Sequence, residues 1–515
     1  MLASILVAVL STPFVVHAQT FSNPVIYADF ADNDIFLGPD GSYYYSASSM
    51  HYSPGAPILQ SWDLVNWQII GHSVPTLDFG DDYDNQSAYN LGTWASTLRY
   101  RESTDSWYWI GCANFWTTYV YTAPSATGEW VQSASFQPCF YDCGLLVDDD
   151  TLYVAYGSGN VSVAQLSSDG LEVVTTQQVF SFPPECTSIE GNRMYKANGT
   201  YYILDDCPND GITLVWKSSD PFGPYEYKIL NDNVASPVSN TGSPIQGSLV
   251  ETSEGDWYFM SFAWNYPLGR VPGNDGFPVL ETVDGAWAES YPYPLPEHPI
   301  PSWSWTGTDN FTGDTLSPAW QWNHNPDTEK YTLNNPGLTL HTATVTTGLY
   351  SARNTLTHRP YGTHPYGIVE LNIVNMADGD IAGLAALKDS SAWIGAVRDG
   401  SDDYHIAVAH NLTMESAYGP TLSHGTIVAS ADVPEGQDNI WFKVSMGAAA
   451  AGSHEAVFSY SFSGDEDDFV DIGGIYELTT DYLFFMGYRF GIFNFATSAL
   501  GGFVDVVSFT SGESS

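Results

Sequence analysis

Asn192-Arg193-Met194-Tyr195, a turn at Asn198-Gly199, then Tyr201-Tyr202-Ile203-Leu204: two short apolar runs across a tight turn, and the pattern is written five times before residue 261. It stands as Asp34-Ile35-Phe36-Leu37 with Tyr43-Tyr44-Tyr45-Ser46-Ala47 and as Ser96-Thr97-Leu98-Arg99-Tyr100 with Trp107-Tyr108-Trp109-Ile110. It returns as Cys143-Gly144-Leu145-Leu146 with Leu152-Tyr153-Val154-Ala155-Tyr156, and as Ser248-Leu249-Val250 with Trp257-Tyr258-Phe259-Met260. Points near Asp32, Ala95, Asp142, Glu190 and Gly247 lie 63, 47, 48 and 57 residues apart, each spacing enough for a four-stranded antiparallel sheet. A repeat of that period predicts a five-bladed β-propeller, in which the first strand of each copy lines the axis and its first residue opens at one mouth.

Working outward, long amphipathic helical patterns are nearly absent and the whole chain reads as all-β. The proline-dense run Tyr291-Pro292-Tyr293-Pro294-Leu295-Pro296-Glu297-His298-Pro299-Ile300-Pro301 predicts an extended linker, because proline removes ladder donors and fixes φ. The expected organisation is therefore a propeller over 19–290, a linker over 291–302 and a second domain over 303–515. In that last part the repeat vanishes and runs such as Leu338-Thr339-Leu340-His341 and Phe503-Val504-Asp505-Val506-Val507 alternate with turn residues, as in a jelly-roll β-sandwich.

Residues 1–18 carry no Asp, Glu, Lys or Arg, contain the apolar run Ile5 to Leu10 and end in Val16-His17-Ala18, which reads as a secretory signal peptide. The expected location is extracellular. Sequons at Asn85, Asn160, Asn198, Asn310 and Asn411 agree with export and with a glycoprotein. Cys112, Cys139, Cys143, Cys186 and Cys207 are odd in number, so at most two local bridges form and at least one thiol is left unpaired.

Against 59 Asp and Glu the chain has 14 Lys and Arg, a formal net charge of −45. Nucleic acid is excluded as a partner, since phosphate neutralisation needs clustered cations, and an anionic membrane is disfavoured by the same field. A monomer is expected.

At the start of the axial strand, three copies present a carboxylate: Asp32 in Ala31-Asp32-Asn33-Asp34, Asp142 in Tyr141-Asp142-Cys143-Gly144, and Glu190 in Ile189-Glu190-Gly191-Asn192. Copies of one geometry would bring the three acids to one mouth, where crowded like charge raises at least one pKa. An acid held protonated can then serve a leaving oxygen while an ionised one activates water.

Asn23-Pro24-Val25-Ile26 before Asp32, Ser61-Trp62-Asp63-Leu64-Val65-Asn66-Trp67, Trp94-Ala95-Ser96-Thr97-Leu98-Arg99-Tyr100 and Glu190-Gly191 with Tyr195-Lys196 resemble glycoside hydrolase family 43. The stretch Asn310-Phe311 through Asn325-Pro326 is similar to the C-terminal sandwich carried by many members. The resemblance implies an inverting hydrolase of arabinose or xylose linkages, with Asp32 as general base, Asp142 as the acid that tunes and positions its partner, and Glu190 as general acid. The Tyr141-Asp142 pair and the two-domain layout look like fungal arabinoxylan α-L-arabinofuranosidases, with arabinoxylan as the implied substrate and β-xylosidase as the alternative. A binding propeller without catalysis is the alternative from another class.

For sugar platforms, which need flat apolar faces, the candidates are Trp94, Tyr141 and Trp264. Gln246 is a polar candidate, and Arg270 in Gly269-Arg270-Val271 resembles the family segment whose arginine reaches the site. No cofactor is expected to be required. A structural calcium is compatible with such a sandwich, but its site is unknown, and Asp465-Glu466-Asp467-Asp468 fails the EF-hand spacing.

Overall fold

A computed structural model describes residues 19–262, 268–271, 273–274, 276–400, 403–415, 419–481 and 484–514; the signal segment 1–18 and Trp264 lie outside them. Five blades succeed one another around an axis. Blade 1 is built from Asp34–Leu37, Tyr43–Ser46, Gly55–Ser61 and Gln68–Val74, and blade 2 from Thr93–Arg101, Ser106–Ala113, Thr117–Ala123 and Val131–Phe136. Blade 3 comprises Gly144–Asp148, Thr151–Tyr156, Asn160–Leu166 and Val173–Ser181, and blade 4 Glu190–Ala197, Thr200–Cys207, Ile212–Ser218 and Glu226–Asp232. Blade 5 is the three-stranded sheet Ile245–Glu251, Trp257–Phe262 and Leu268–Arg270.

Burial follows the radial order: every residue of Tyr43–Ser46 is buried, whereas most of Val173–Ser181 on the rim of blade 3 is exposed. Aromatic rings pack from blade to blade, as where Tyr44 and Phe36 of blade 1 meet Trp107 of blade 2 with centroids 4.5 and 5.7 Å apart. Between blades 3 and 4, Phe180 stacks on Trp216 at 3.8 Å.

The ring is closed outside the blades by Thr20–Ser22 pairing antiparallel with Ser290–Pro292. Tyr291 and Pro292, expected to open the linker, therefore belong to the propeller; a proline is tolerated there because the two-stranded ribbon leaves its nitrogen side unpaired. The remaining proline-dense stretch lies on blade 1, where the His298 N–H donates to Asp63 Oδ2 at 2.8 Å. Asp63 itself caps the turn of the Ser61–Trp67 motif by accepting from the N–H groups of Val65 and Asn66 at 2.9 and 2.7 Å.

The second domain is a sandwich of two eight-stranded sheets around buried Phe311, Trp320, Trp322, Phe442, Phe458 and Phe490. The two domains share more than a surface. Tyr52–Ser53, from a loop of blade 1, pairs with Trp322–Asn323 and becomes the edge strand of one sandwich sheet. Arg489 of the sandwich, fully buried, reaches Asp29 of the propeller at 3.1 Å, and Arg359 Nε donates to the Asp29 carbonyl at 2.7 Å. Cysteine pairing is local: Cys112 with Cys139 and Cys186 with Cys207, leaving Cys143 as a buried thiol. Among the described residues no helix is long and apolar enough to cross a membrane.

Candidate active site

Three of the five innermost strands begin with an irregularity. Register shifts fall between Thr93 and Ser96, between Glu190 and Arg193, and between Ile245 and Ser248, each marking a bulge. Asp32, Asp142, Gly191 and Gln246 sit in the left-handed region with φ of 63°, 47°, 78° and 48°. Bulges of this kind turn side chains out of the ladder. The pairing corrects the alignment of the copies: Glu190, Ile245 and Thr93 are equivalent, so the counterparts of Asp32 and Asp142 are Gln246 in blade 5 and Trp94 in blade 2, rather than Gly247 and Ala95. Glu190 stands one residue earlier in its blade than the two aspartates in theirs.

The three acids meet at this mouth. Asp142 Oδ2 accepts from the Gly191 N–H, next to Glu190, at 3.1 Å and from Gln246 Nε2 at 3.2 Å. Tyr141 donates its hydroxyl to Glu190 Oε2 at 3.3 Å. Asp32 is buried and accepts from the Ser48 hydroxyl at 2.5 Å. Burial is the first cause in each case, and it pushes all three carboxyls above their usual range. Glu190 and Asp32 add charge against Asp142, and Asp32 adds charge against Glu190. For Asp32 the Ser48 bond and the Arg193 charge oppose that rise. The site thus retains protons where isolated carboxyls have lost theirs, which is the condition for a general acid.

Arg193, which the sequence reading did not single out, holds the arrangement together from inside. Its fully buried guanidinium donates to the carbonyls of Asp32 (2.8 Å), Asn33 (3.0 Å), Cys143 (2.9 Å) and Asn192 (3.0 Å). Those carbonyls begin the axial strands of blades 1, 3 and 4, so one side chain fixes the three acids relative to each other. Asp206, the cross-strand partner of Glu190, is a fourth buried carboxyl; it accepts from the Thr213 hydroxyl, and burial pushes it up to about 7.

Of the platform candidates, Trp94 and Tyr141 stand at the mouth and are joined by a residue not foreseen, Phe115, whose ring lies 5.0 Å from Trp94 and 6.2 Å from Tyr141. The row continues into the sandwich, where Phe485 meets Trp94 edge-on at 5.1 Å. Gln246 has its amide committed to Asp142 and so orients an acid rather than facing outward. Arg270 is a correction. It pairs across the strand with Tyr258, four residues from the mouth end of its sheet at Phe262, and its guanidinium is held by Asp256 at 3.1 Å and Glu281 at 3.8 Å. Two acids beside the far end of blade 5 account for this arginine, and the mouth is out of its reach. Among the described residues no group of three or more His, Cys, Asp or Glu side chains is arranged to hold a metal ion.

Comparison with known proteins matches residues 21–278 to the family described as Glycosyl hydrolases family 43 and residues 308–510 to a Beta xylosidase C-terminal Concanavalin A-like domain. A solved GH43 glycoside hydrolase, engineered at its active site to display both endo-xylanase and exo-arabinofuranosidase activity, is 38% identical, with a TM-score of 0.92 over 96% of this chain and 100% of that one. A beta-xylosidase of Formosa agariphila is 25% identical over 95% of this chain and 90% of its own length. A non-reducing end alpha-L-arabinofuranosidase of Bacteroides ovatus is 26% identical over 60% of this chain and 62% of its own length.

Proposed function

The chain belongs to glycosyl hydrolases family 43, and from that premise we propose that it removes α-L-arabinofuranosyl side chains from arabinoxylan, including those on doubly substituted xylose. The observation that carries this reading is the joining of Asp32, Asp142 and Glu190 at one mouth beside an aromatic row, in a chain 38% identical to a GH43 enzyme engineered to display both endo-xylanase and exo-arabinofuranosidase activity.

In the proposed reaction a water attacks the anomeric carbon and passes its proton to Asp32, while Glu190 gives its proton to the departing xylosyl oxygen, with inversion of configuration. Asp142, held by the Gly191 N–H and by Gln246, positions the segment that carries Glu190, while burial and the charge of Asp32 favour the protonated form of Glu190. No cofactor takes part. Export as a glycoprotein is part of the proposal, and it is supported by the exposure of all five sequon asparagines, Asn85, Asn160, Asn198, Asn310 and Asn411.

The test is proton NMR of wheat arabinoxylan during digestion. Release of arabinose, β-anomer first, with loss of the signals of doubly substituted xylose, is the expected result. A second reading, β-xylosidase, is favoured by the Formosa agariphila relative and predicts xylose release from xylo-oligosaccharides instead. Binding without release would assign a carbohydrate-binding propeller. Asp32→Asn and Glu190→Gln should each lower turnover by about two to four orders of magnitude, and an aryl glycoside with a good leaving group should partly rescue only the latter.

A further inference from the structure

The second and third strands of blade 2 are joined by a tight turn at Asn114-Phe115-Trp116. Trp116 is 68% exposed, more than any other large hydrophobic side chain among the described residues. An indole left in water on a floppy tip would say little, but this tip is rigidly held. The Asn114 side chain accepts from the Tyr83 hydroxyl and from the Gly92 N–H, and donates to the Phe79 carbonyl at 3.2 Å. The Trp116 N–H closes the turn on the Ala113 carbonyl at 3.2 Å. Cys112, at the base of the turn, is bonded to Cys139, two residues before Tyr141. The tip is thereby tied to the segment whose tyrosine touches Glu190.

Trp116 follows in the chain directly on an aromatic row: Tyr141 beside the acid, then Phe115 against Trp94, with the uncovered indole one residue on in the same turn. Rigid aromatic faces bind the C–H faces of sugars at low entropic cost. A net charge of −45 repels polyanionic chains and leaves neutral polysaccharide as the ligand class. We propose that Trp116 is a platform for the main chain of a neutral xylan, holding the polymer outside the pocket in which the branch is cut. The assignment of xylan rests on the functional reading above.

Covering one indole face removes roughly 60 to 80 Å² of apolar surface from water, a factor of about 10 to 30 in affinity. Trp116→Ala should lower kcat/KM on arabinoxylan by about that factor and leave an aryl α-L-arabinofuranoside, too short to reach the tip, within about twofold. Trp116→Phe should recover most of the loss. Equal loss on both substrates, or none on the polymer, overturns the platform. Retardation in gels containing linear xylan, compared between Glu190→Gln and the Glu190→Gln, Trp116→Ala double variant, separates the two ideas. If the wild-type protein cleaves neither substrate, the hydrolytic reading falls, yet retardation lost only in the double variant still upholds the platform. Equal retardation overturns it.

Discussion

Replacing Tyr141 by phenylalanine removes one hydroxyl and keeps the ring against Phe115. That hydroxyl lies 3.3 Å from Glu190 Oε2. When Glu190 is ionised the bond is charge-assisted, roughly twice as strong as the neutral bond that survives when Glu190 is protonated. With net values of about 1.5 to 3 and 0.5 to 1.5 kcal/mol for the two kinds, a bond this long sits at the low end of each, and the difference is about 1 kcal/mol. At about 1.4 kcal/mol per unit, that is about 0.7 of a pH unit. The sign follows from which form is favoured: the tyrosine pulls Glu190 down against burial and Asp32, which push it up. Without it Glu190 holds its proton to higher pH. The alkaline limb of kcat/KM, which reports the acid in the free enzyme, should move up by about 0.5 to 1 unit on an arabinoxylan oligosaccharide, whose xylosyl leaving group needs the proton. A limb that stays in place or moves down refutes the reasoning, and a loss of rate without a shift would leave Tyr141 as a sugar contact only.

Two further perturbations test the support of the site. Asp206, raised to about 7 from 3.8 by burial first and by Glu190 as well, favours the native state below pH 4 and loses that contribution as pH rises through 7. Asp206→Asn does not titrate, so its stability relative to wild type should rise between pH 4 and pH 8, by about 4 kcal/mol at most, read as the difference in Tm; a relative stability that falls with pH would contradict the buried-acid account. Arg193→Met strips four main-chain carbonyls of their donor and leaves Asp34 without a guanidinium 3.8 Å away. It should cost about 3 to 5 kcal/mol in thermal unfolding and most of the activity, and retention of both would dismiss Arg193 as the organiser of the mouth.

The five repeats made the propeller legible because each blade must bury its own apolar phrase at the same radial depth, and that constraint is written locally. The three acids were legible for the same reason, since they sit beside the phrases. What the repeats did not carry was register. A bulge adds a residue without altering composition, so Glu190 and Asp32 looked equivalent although they differ by one position. Arg193 was hidden because an arginine within a strand reads as outward-facing; only the closed ring turns it onto four carbonyls. Arg270 was misplaced because Gly269-Arg270-Val271 resembles the family segment whose arginine reaches the site, while its partners Asp256 and Glu281 are indistinguishable in sequence from other surface acids. Phe485 reaches Trp94 from about 390 residues away, through a domain contact that no periodicity encodes.

The balance of charge at the mouth explains why these acids keep protons at all. Asp32, Asp142, Glu190 and Asp206 crowd one end of the channel, yet the two guanidiniums on the axis are already engaged: Arg99 grips Asp34 with both terminal nitrogens at 2.7 and 3.0 Å, and Arg193 spends its donors on main-chain carbonyls. Arg193 lowers Asp32, Asp142 and Asp206 by its charge, but in each case burial outweighs it. Had a guanidinium reached Glu190 directly, as Arg99 reaches Asp34, the carboxyl would be held ionised and useless as a proton donor. Instead, among the described residues, the Glu190 carboxyl meets only a tyrosine hydroxyl. Placing the cations one layer below the acids fixes their positions through the backbone while leaving Glu190 its proton, and the Arg193 charge that lowers Asp32 favours its ionised form.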